Sequence, residues 1–177
     1  MKKEASVHNS SNQIKIYTNP TALRIFVDII NAHQKTNLTV GYVPGCFDLF
    51  HIGHEHLLEE ASNQCDFLIA SVVSDDFVRA KKGENRPIRN RDLRVQDVAS
   101  QECVDAVIVA PNDRLGKRFI ISPNEYRPLA ADIAFFGSDY NDTNLPAYFR
   151  EFAKEVKYVT KDMGCHTTQT LERLGLS

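Results

Sequence analysis

Two histidines, His51 and His54, stand three residues apart in the run Gly45-Cys46-Phe47-Asp48-Leu49-Phe50-His51-Ile52-Gly53-His54. An apolar stretch, 38–43, precedes the run and reads as a buried strand. A helical pattern, 54–64, follows it. At a strand-to-helix turn the two imidazoles meet the positive end of a helix, where backbone N–H groups already favour phosphate. Gly53 keeps bulk away between the rings, so a phosphate chain can approach closely. This chemistry is that of a nucleotide phosphate site.

A second concentration of charge lies between Arg79 and Arg94. Seven cations there (Arg79, Lys81, Lys82, Arg86, Arg89, Arg91 and Arg94) face only Glu84 and Asp92. A third group, Lys161-Asp162-Met163-Gly164-Cys165-His166-Thr167-Thr168, combines a cation, a glycine turn and two hydroxyls at an expected helix start. Between these two groups, Gly137-Ser138-Asp139-Tyr140 closes another apolar run.

The pattern G-x-F-D-x-x-H-x-G-H resembles that of the HxGH nucleotidyltransferases, in particular the cytidylyltransferases, over residues from about 38 to about 174. The resemblance implies attack by an acceptor phosphate on the α-phosphorus of a nucleoside triphosphate, with release of pyrophosphate. His51 and His54 would donate hydrogen bonds to the triphosphate. Lys82 lies in a loop similar to the K-G-x-x-R-P loop of related transferases, and Arg94 matches the family's helix arginine. Arg89 and Arg91 stay open as alternatives to Arg94. Gly45, Cys46, Phe47, Gly53, Gly137, Asp139, Lys161, Gly164, Thr167 and Thr168 are the implied nucleotide-binding residues. No dedicated metal ligands are expected, and Mg²⁺ would arrive with the triphosphate.

The closing motif of the family reads R-T-E-G-I-S-T-T, and this chain departs from it twice. His166 replaces the usual serine, and Lys161 replaces an arginine, which keeps the cation but loses the fork. The cation at Lys161, with the similarity of Gly137-Ser138-Asp139-Tyr140 to G-D-D-W, favours CTP and a small phosphorylated alcohol such as glycerol 3-phosphate. The alternative is ATP-dependent adenylyl transfer to a sugar phosphate of the heptose-phosphate kind, suggested by the K-G-x-x-R-P loop and Gly164-Cys165. A nucleotide-binding protein without turnover is the remaining reading.

The elements that must position these residues follow from pattern. Strands are expected at 38–43, 67–73, 104–109, 133–136 and 156–159. Helices are expected at 54–64, 75–80, 90–101, 145–155 and 167–174, with an irregular, partly helical piece at 113–131. Such alternation implies an α/β fold, a Rossmann-like doubly wound five-stranded parallel sheet. An extra N-terminal helix begins at Asn19-Pro20, a cap followed by proline. Residues 1–37 then form an extension whose first 18 residues read as frayed, and 38–177 the nucleotidyltransferase domain.

Composition is ordinary for one soluble globular domain: 177 residues, 42% hydrophobic and 25% charged. A net charge of −2 argues against nucleic-acid partners. The four cysteines lack C-x-x-C spacing, so structural zinc and a disulfide framework are disfavoured. No apolar stretch approaches a membrane span or a signal peptide, which points to the cytoplasm. The expected partners are a nucleoside triphosphate, a phosphorylated small molecule and a second copy of the chain in a homodimer.

Overall fold

A computed structural model describes residues 15–109, 113–115, 118–120, 129–138, 150, 153–160, 171, 173 and 175. In chain order the elements are β1 (Ile16–Tyr17), α1 (Pro20–Gln34), β2 (Val40–Gly45), α2 (Ile52–Ser62), β3 (Phe67–Val72) and α3 (Asp75–Lys82). There follow α4 (Arg91–Ala99), β4 (Ala106–Val109), β5 (Asp113–Leu115), β6 (Arg118–Ile120), β7 (Ile133–Gly137) and β8 (Glu155–Val159). The main sheet runs β1-β4-β3-β2-β7-β8, and all its ladders are parallel. The class is the expected Rossmann-like α/β fold, with six strands in place of five.

The sixth strand is β1, drawn from residues expected to fray. Two residues carry no periodicity, and β1 exists only because Ile16 and Tyr17 pair with Val107 and Ile108 on the sheet's edge. Next to it, Asn19 caps α1 by accepting from the Thr21 and Ala22 amides, with Pro20 at the first helical position. Leu23 and Val27 of this helix are fully buried in the main core. The N-terminal segment therefore packs on the domain's own sheet. Within the expected irregular, partly helical piece at 113–131, the described residues include an antiparallel pair of strands, β5 with β6. The expected helix 145–155 lies mostly outside the described residues, and its last residue, Glu155, is already strand. Of the expected helix 167–174 only Leu171 and Arg173 are described, both helical.

Period-two alternation divides the sheet's side chains between two cores. Val40, Tyr42, Ile69, Ile108 and Phe136 face the core shared with α1, whereas Val43, Leu68, Ala70, Val107 and Phe135 face the core shared with α2 and α4. Aspartates tie neighbouring strands together at their amino ends. Asp132 accepts from the Val40 amide at 2.8 Å, Asp105 from Leu68 at 2.7 Å and Asp66 from Thr39 at 3.0 Å. A Cβ on Gly41 would lie 2.6 Å from the Cys65 sulfur. That packing pushes the Cys65 thiol up to about 12, since burial penalises the thiolate.

The carboxyl ends behave differently. The β2–β3 ladder runs on to Gly45 with Val72, and the β7–β8 ladder to Gly137 with Val159. Between them, β2 pairs with β7 only at Gly41–Ile133 and Tyr42–Ala134. The two strands separate beyond that point. This is also where the chain order reverses, the place at which open α/β sheets hold ligands.

Candidate active site

The turn leaving β2 is shaped by packing. A Cβ on Gly45 would sit 2.6 Å from Cε2 of Phe47, so only glycine allows that ring to fold back. Phe47 and Leu49 both adopt left-handed backbone, at φ 52° and 48°. The Phe47 ring is 1% exposed and belongs to the core under α2. Its side chain is thus the floor of the site, and only its backbone can meet a ligand. The expected nucleotide contact of Phe47 is thereby confined to its backbone.

His51 is the N-cap of α2, and its Nδ1 accepts the Gly53 amide at 3.1 Å. An accepting Nδ1 carries no proton, which assigns the hydrogen of the neutral ring to Nε2. The His54 ring stacks on that of His51, with centroids 3.9 Å apart and planes 23° apart. It also meets the Phe47 ring edge-on at 5.4 Å and the Phe50 ring at 5.5 Å. Gly53, between the two histidines, is buried. The first turn of α2 therefore presents two half-buried imidazoles beside helix-terminal amides, at the carboxyl end of β2.

Arg94 has a different place from the one its spacing suggests. Its side chain is 0% exposed. Nε donates to the Arg89 carbonyl at 3.0 Å, Nη1 to the Cys46 carbonyl, and Nη2 to the Val73 carbonyl at 2.8 Å and Asp75 Oδ1 at 2.7 Å. Four of the five guanidinium hydrogens are thereby engaged within the protein. Arg94 ties loops together and presents no fork to a phosphate, which corrects its catalytic assignment. The alternatives are also engaged: Arg89 pairs with Asp97 at 3.1 Å and Arg91 with Asp92 at 3.3 Å.

Lys82 is exposed at the last position of α3, which runs two residues further than expected, and Gly83 follows with φ 98°. Its charge acts on the half-buried Cys46 thiol, which burial pushes up and the Lys82 and Arg94 cations pull down. Arg86, four residues on, bonds to Asp48 beside the β2 exit, which keeps Lys82 in that neighbourhood. Gly137 ends β7 across the gap from β2, buried, with the Ser138 amide donating to the Val159 carbonyl at 2.9 Å. Asp139, Lys161, Gly164, Thr167 and Thr168 lie outside the described residues.

Asp48, the acid of the G-x-F-D-x-x-H-x-G-H pattern, has no role among the expected site residues, yet it is 2% exposed. It accepts from Arg86 Nε at 3.0 Å and Nη2 at 2.7 Å, from the Ile88 amide at 3.0 Å and from the Arg89 amide at 3.0 Å. Burial would raise this carboxyl, but the Arg89 and Ile88 amides and the Arg86 guanidinium outweigh it and hold it below the usual carboxylate range. Its sequence signal is the fixed acid of that pattern, three residues before His51. Asp75, the partner of Arg94, has no such signal.

Comparison with known proteins agrees with this fold. The Cytidylyltransferase-like family matches residues 42–174. The bifunctional protein HldE of Aliarcobacter butzleri is 31% identical over 97% of this chain and 33% of its own length. That of Helicobacter pylori (strain Shi470) is 31% identical over 97% of this chain and 36% of its own. The chain spans about a third of the length of these relatives. Among solved structures, the lipopolysaccharide core biosynthesis protein of Thermoplasma volcanium aligns with a TM-score of 0.54 at 24% identity, over 70% of this chain and 96% of that one. The pantoate-beta-alanine ligase of Francisella tularensis aligns with a TM-score of 0.54 at 13% identity, over 84% and 67%, a likeness of fold alone. With its paired histidines at the switch point of a six-stranded parallel sheet, the chain belongs to the cytidylyltransferase-like nucleotidyltransferase family.

Proposed function

We propose that the protein transfers AMP from ATP to a sugar phosphate of the heptose-phosphate kind, releasing pyrophosphate. The observation that carries nucleotidyl transfer is the His51–His54 stack on the first turn of α2, with Nδ1 of His51 held by Gly53. A phosphate monoester with a second pKa near ~6 is already an anionic nucleophile at neutral pH. Its oxygen forms a new bond to the α-phosphorus while the bond to the bridging oxygen breaks, and charge moves onto the departing pyrophosphate. No general base is needed. The protein's task is to position two anions and meet that charge with donors.

The choice of base and acceptor rests on kinship. The bifunctional relatives that match 97% of the chain fall in the heptose-phosphate adenylyltransferase branch. The loop Lys82-Gly83-Glu84-Asn85-Arg86-Pro87 is similar to that of the same branch. The expectation of CTP and glycerol 3-phosphate leaned on Lys161, outside the described residues, and has less support. Magnesium, a homodimer and a cytoplasmic location complete the proposal. No group of three or more His, Cys, Asp or Glu side chains among the described residues is placed to hold a metal. Mg²⁺ that arrives with a triphosphate is held largely by phosphate oxygens and water. No helix among those residues is long and apolar enough to cross a membrane.

The test is pyrophosphate release across four nucleoside triphosphates and a panel of sugar phosphates and phosphorylated alcohols, with magnesium. ATP with a sugar phosphate should be fastest. CTP with glycerol 3-phosphate as the fastest pair would reverse the assignment. Triphosphate binding without release from any pair would make the protein a nucleotide binder.

A further inference from the structure

Two buried charges meet at one stretch of chain. Asp48, in the turn that leads to His51, takes the Arg86 fork and the amides of Ile88 and Arg89. Arg94, in α4, takes the carbonyl of Arg89 on one side and that of Cys46 on the other. The backbone of Arg89 is thus held from both ends, its N–H by Asp48 and its C=O by Arg94. The histidine turn and residues 86–89 form a single tied unit, anchored to α3 through Asp75.

A buried ion pair is weak evidence for stability, because apolar replacements of similar volume often stabilise as well. Its geometry is what apolar groups cannot supply. Lys82 stands four residues before Arg86, and that span of chain reaches no more than about 14 Å. The tie therefore limits how far Lys82 can stray from the histidine turn, and its effect on the Cys46 thiol agrees with that placement.

We propose that Asp48 and Arg94 are positioning residues that lock segment 86–89 to the histidine turn and thereby set the place from which Lys82 meets the triphosphate. This rests on the nucleotidyl-transfer reading above, in which Lys82 contacts phosphate.

The test is a double-mutant cycle in kcat between Asp48→Asn and Lys82→Ala, with folding checked by thermal melting. Acting through Lys82, Asp48→Asn should lower kcat roughly tenfold in the otherwise wild-type chain and leave it nearly unchanged in the Lys82→Ala background. Equal factors in both backgrounds would make Asp48 a scaffold residue and overturn the proposal. So would a Lys82→Ala variant with wild-type kcat, since nothing would remain to be positioned. Should Asp48→Asn fail to fold, Arg86→Gln replaces it in the cycle, because it removes the fork and leaves both amide bonds in place. If the wild-type chain releases no pyrophosphate from any pair, the functional reading fails by itself. The same cycle is then read in the ATP dissociation constant, where coupling supports the positioning role and additivity overturns it.

Discussion

The imidazoles of His51 and His54 lie nearly face to face, 3.9 Å apart, while the Nδ1 of His51 receives the Gly53 amide. One histidine therefore does two jobs. Its inner nitrogen caps a helix, and its outer nitrogen carries the hydrogen of the neutral ring. The spacing of three residues is what a helix start requires to put both rings on one face.

These jobs are separable by substitution. In His51→Asn the amide oxygen falls near the place of Nδ1 and can still cap α2, but nothing replaces Nε2–H. In His51→Gln the amide reaches the Nε2 position and the cap is lost. His51→Asn should melt like wild type and lose kcat by roughly 10²–10³, with a smaller change in ATP affinity. His51→Gln should keep more activity while losing about 1 kcal/mol of stability. An Asn variant with more than half of wild-type kcat would reduce His51 to a cap.

For Arg94 the expected loss is in stability. Arg94→Met removes a buried guanidinium and strands the Asp75 carboxylate together with the carbonyls of Cys46, Val73 and Arg89. The cost of breaking such a pair is about 3–5 kcal/mol. Urea unfolding should show this as a lower midpoint. A variant with an unchanged midpoint and much weaker ATP binding would return Arg94 to the phosphates.

The contrast between these arginines and the histidines shows what the sequence could reveal. Strands such as Phe67–Val72 are apolar at every position but Ser71, and Asn19-Pro20 announces α1 through local chemistry. Both were legible, as were the histidines, because the reasons for them lie within a few residues. Arg86 and Arg94 look like any cations in a basic run. Their burial is decided by Asp48 and Asp75, contacts that only folding creates. For the same reason Ile16–Tyr17 reads as fraying chain until Val107 and Ile108 pair with it. The paired strands 113–115 and 118–120 have three residues each, too short for any period to show.

Asp48 also predicts a pH dependence. Its carboxyl titrates below the ordinary unfolded value of about 3.9. A group with a depressed folded value contributes stability that is present above the unfolded value and is lost as pH falls through the folded one. Asp132 shifts the same way: burial opposes the shift, and the Lys154 contact and Val40 amide outweigh it. Acid should therefore weaken the wild type through both groups. Removing Asp48 isolates one of them. The difference in unfolding free energy between wild type and Asp48→Asn should hold steady from neutrality to about pH 5 and shrink toward pH 2. A difference that stays constant across that whole range would show that the Asp48 charge carries no part of the stability.

Hydrogen exchange should divide the basic segment in two. Residues 81–85 are exposed, and Gly83 breaks the helix there with φ 98°. The exposed end of α3 and the loop after it are the part of this segment that opens most readily, so these amides should exchange faster than the body of the helix in the free protein and more slowly with ATP bound. The Ile88 and Arg89 amides differ, because each donates to the buried Asp48 carboxylate at 3.0 Å. They should be slow from the start and respond little to nucleotide. In Asp48→Asn they should exchange faster, since a neutral amide oxygen is the weaker acceptor. A closing segment that begins at Lys81 and stops before Arg86 is the expected pattern. No change at 81–85 under saturating ATP would remove the closing role from Lys82. A large nucleotide response at Ile88 and Arg89 would mean that the tie to Asp48 forms only when substrate binds.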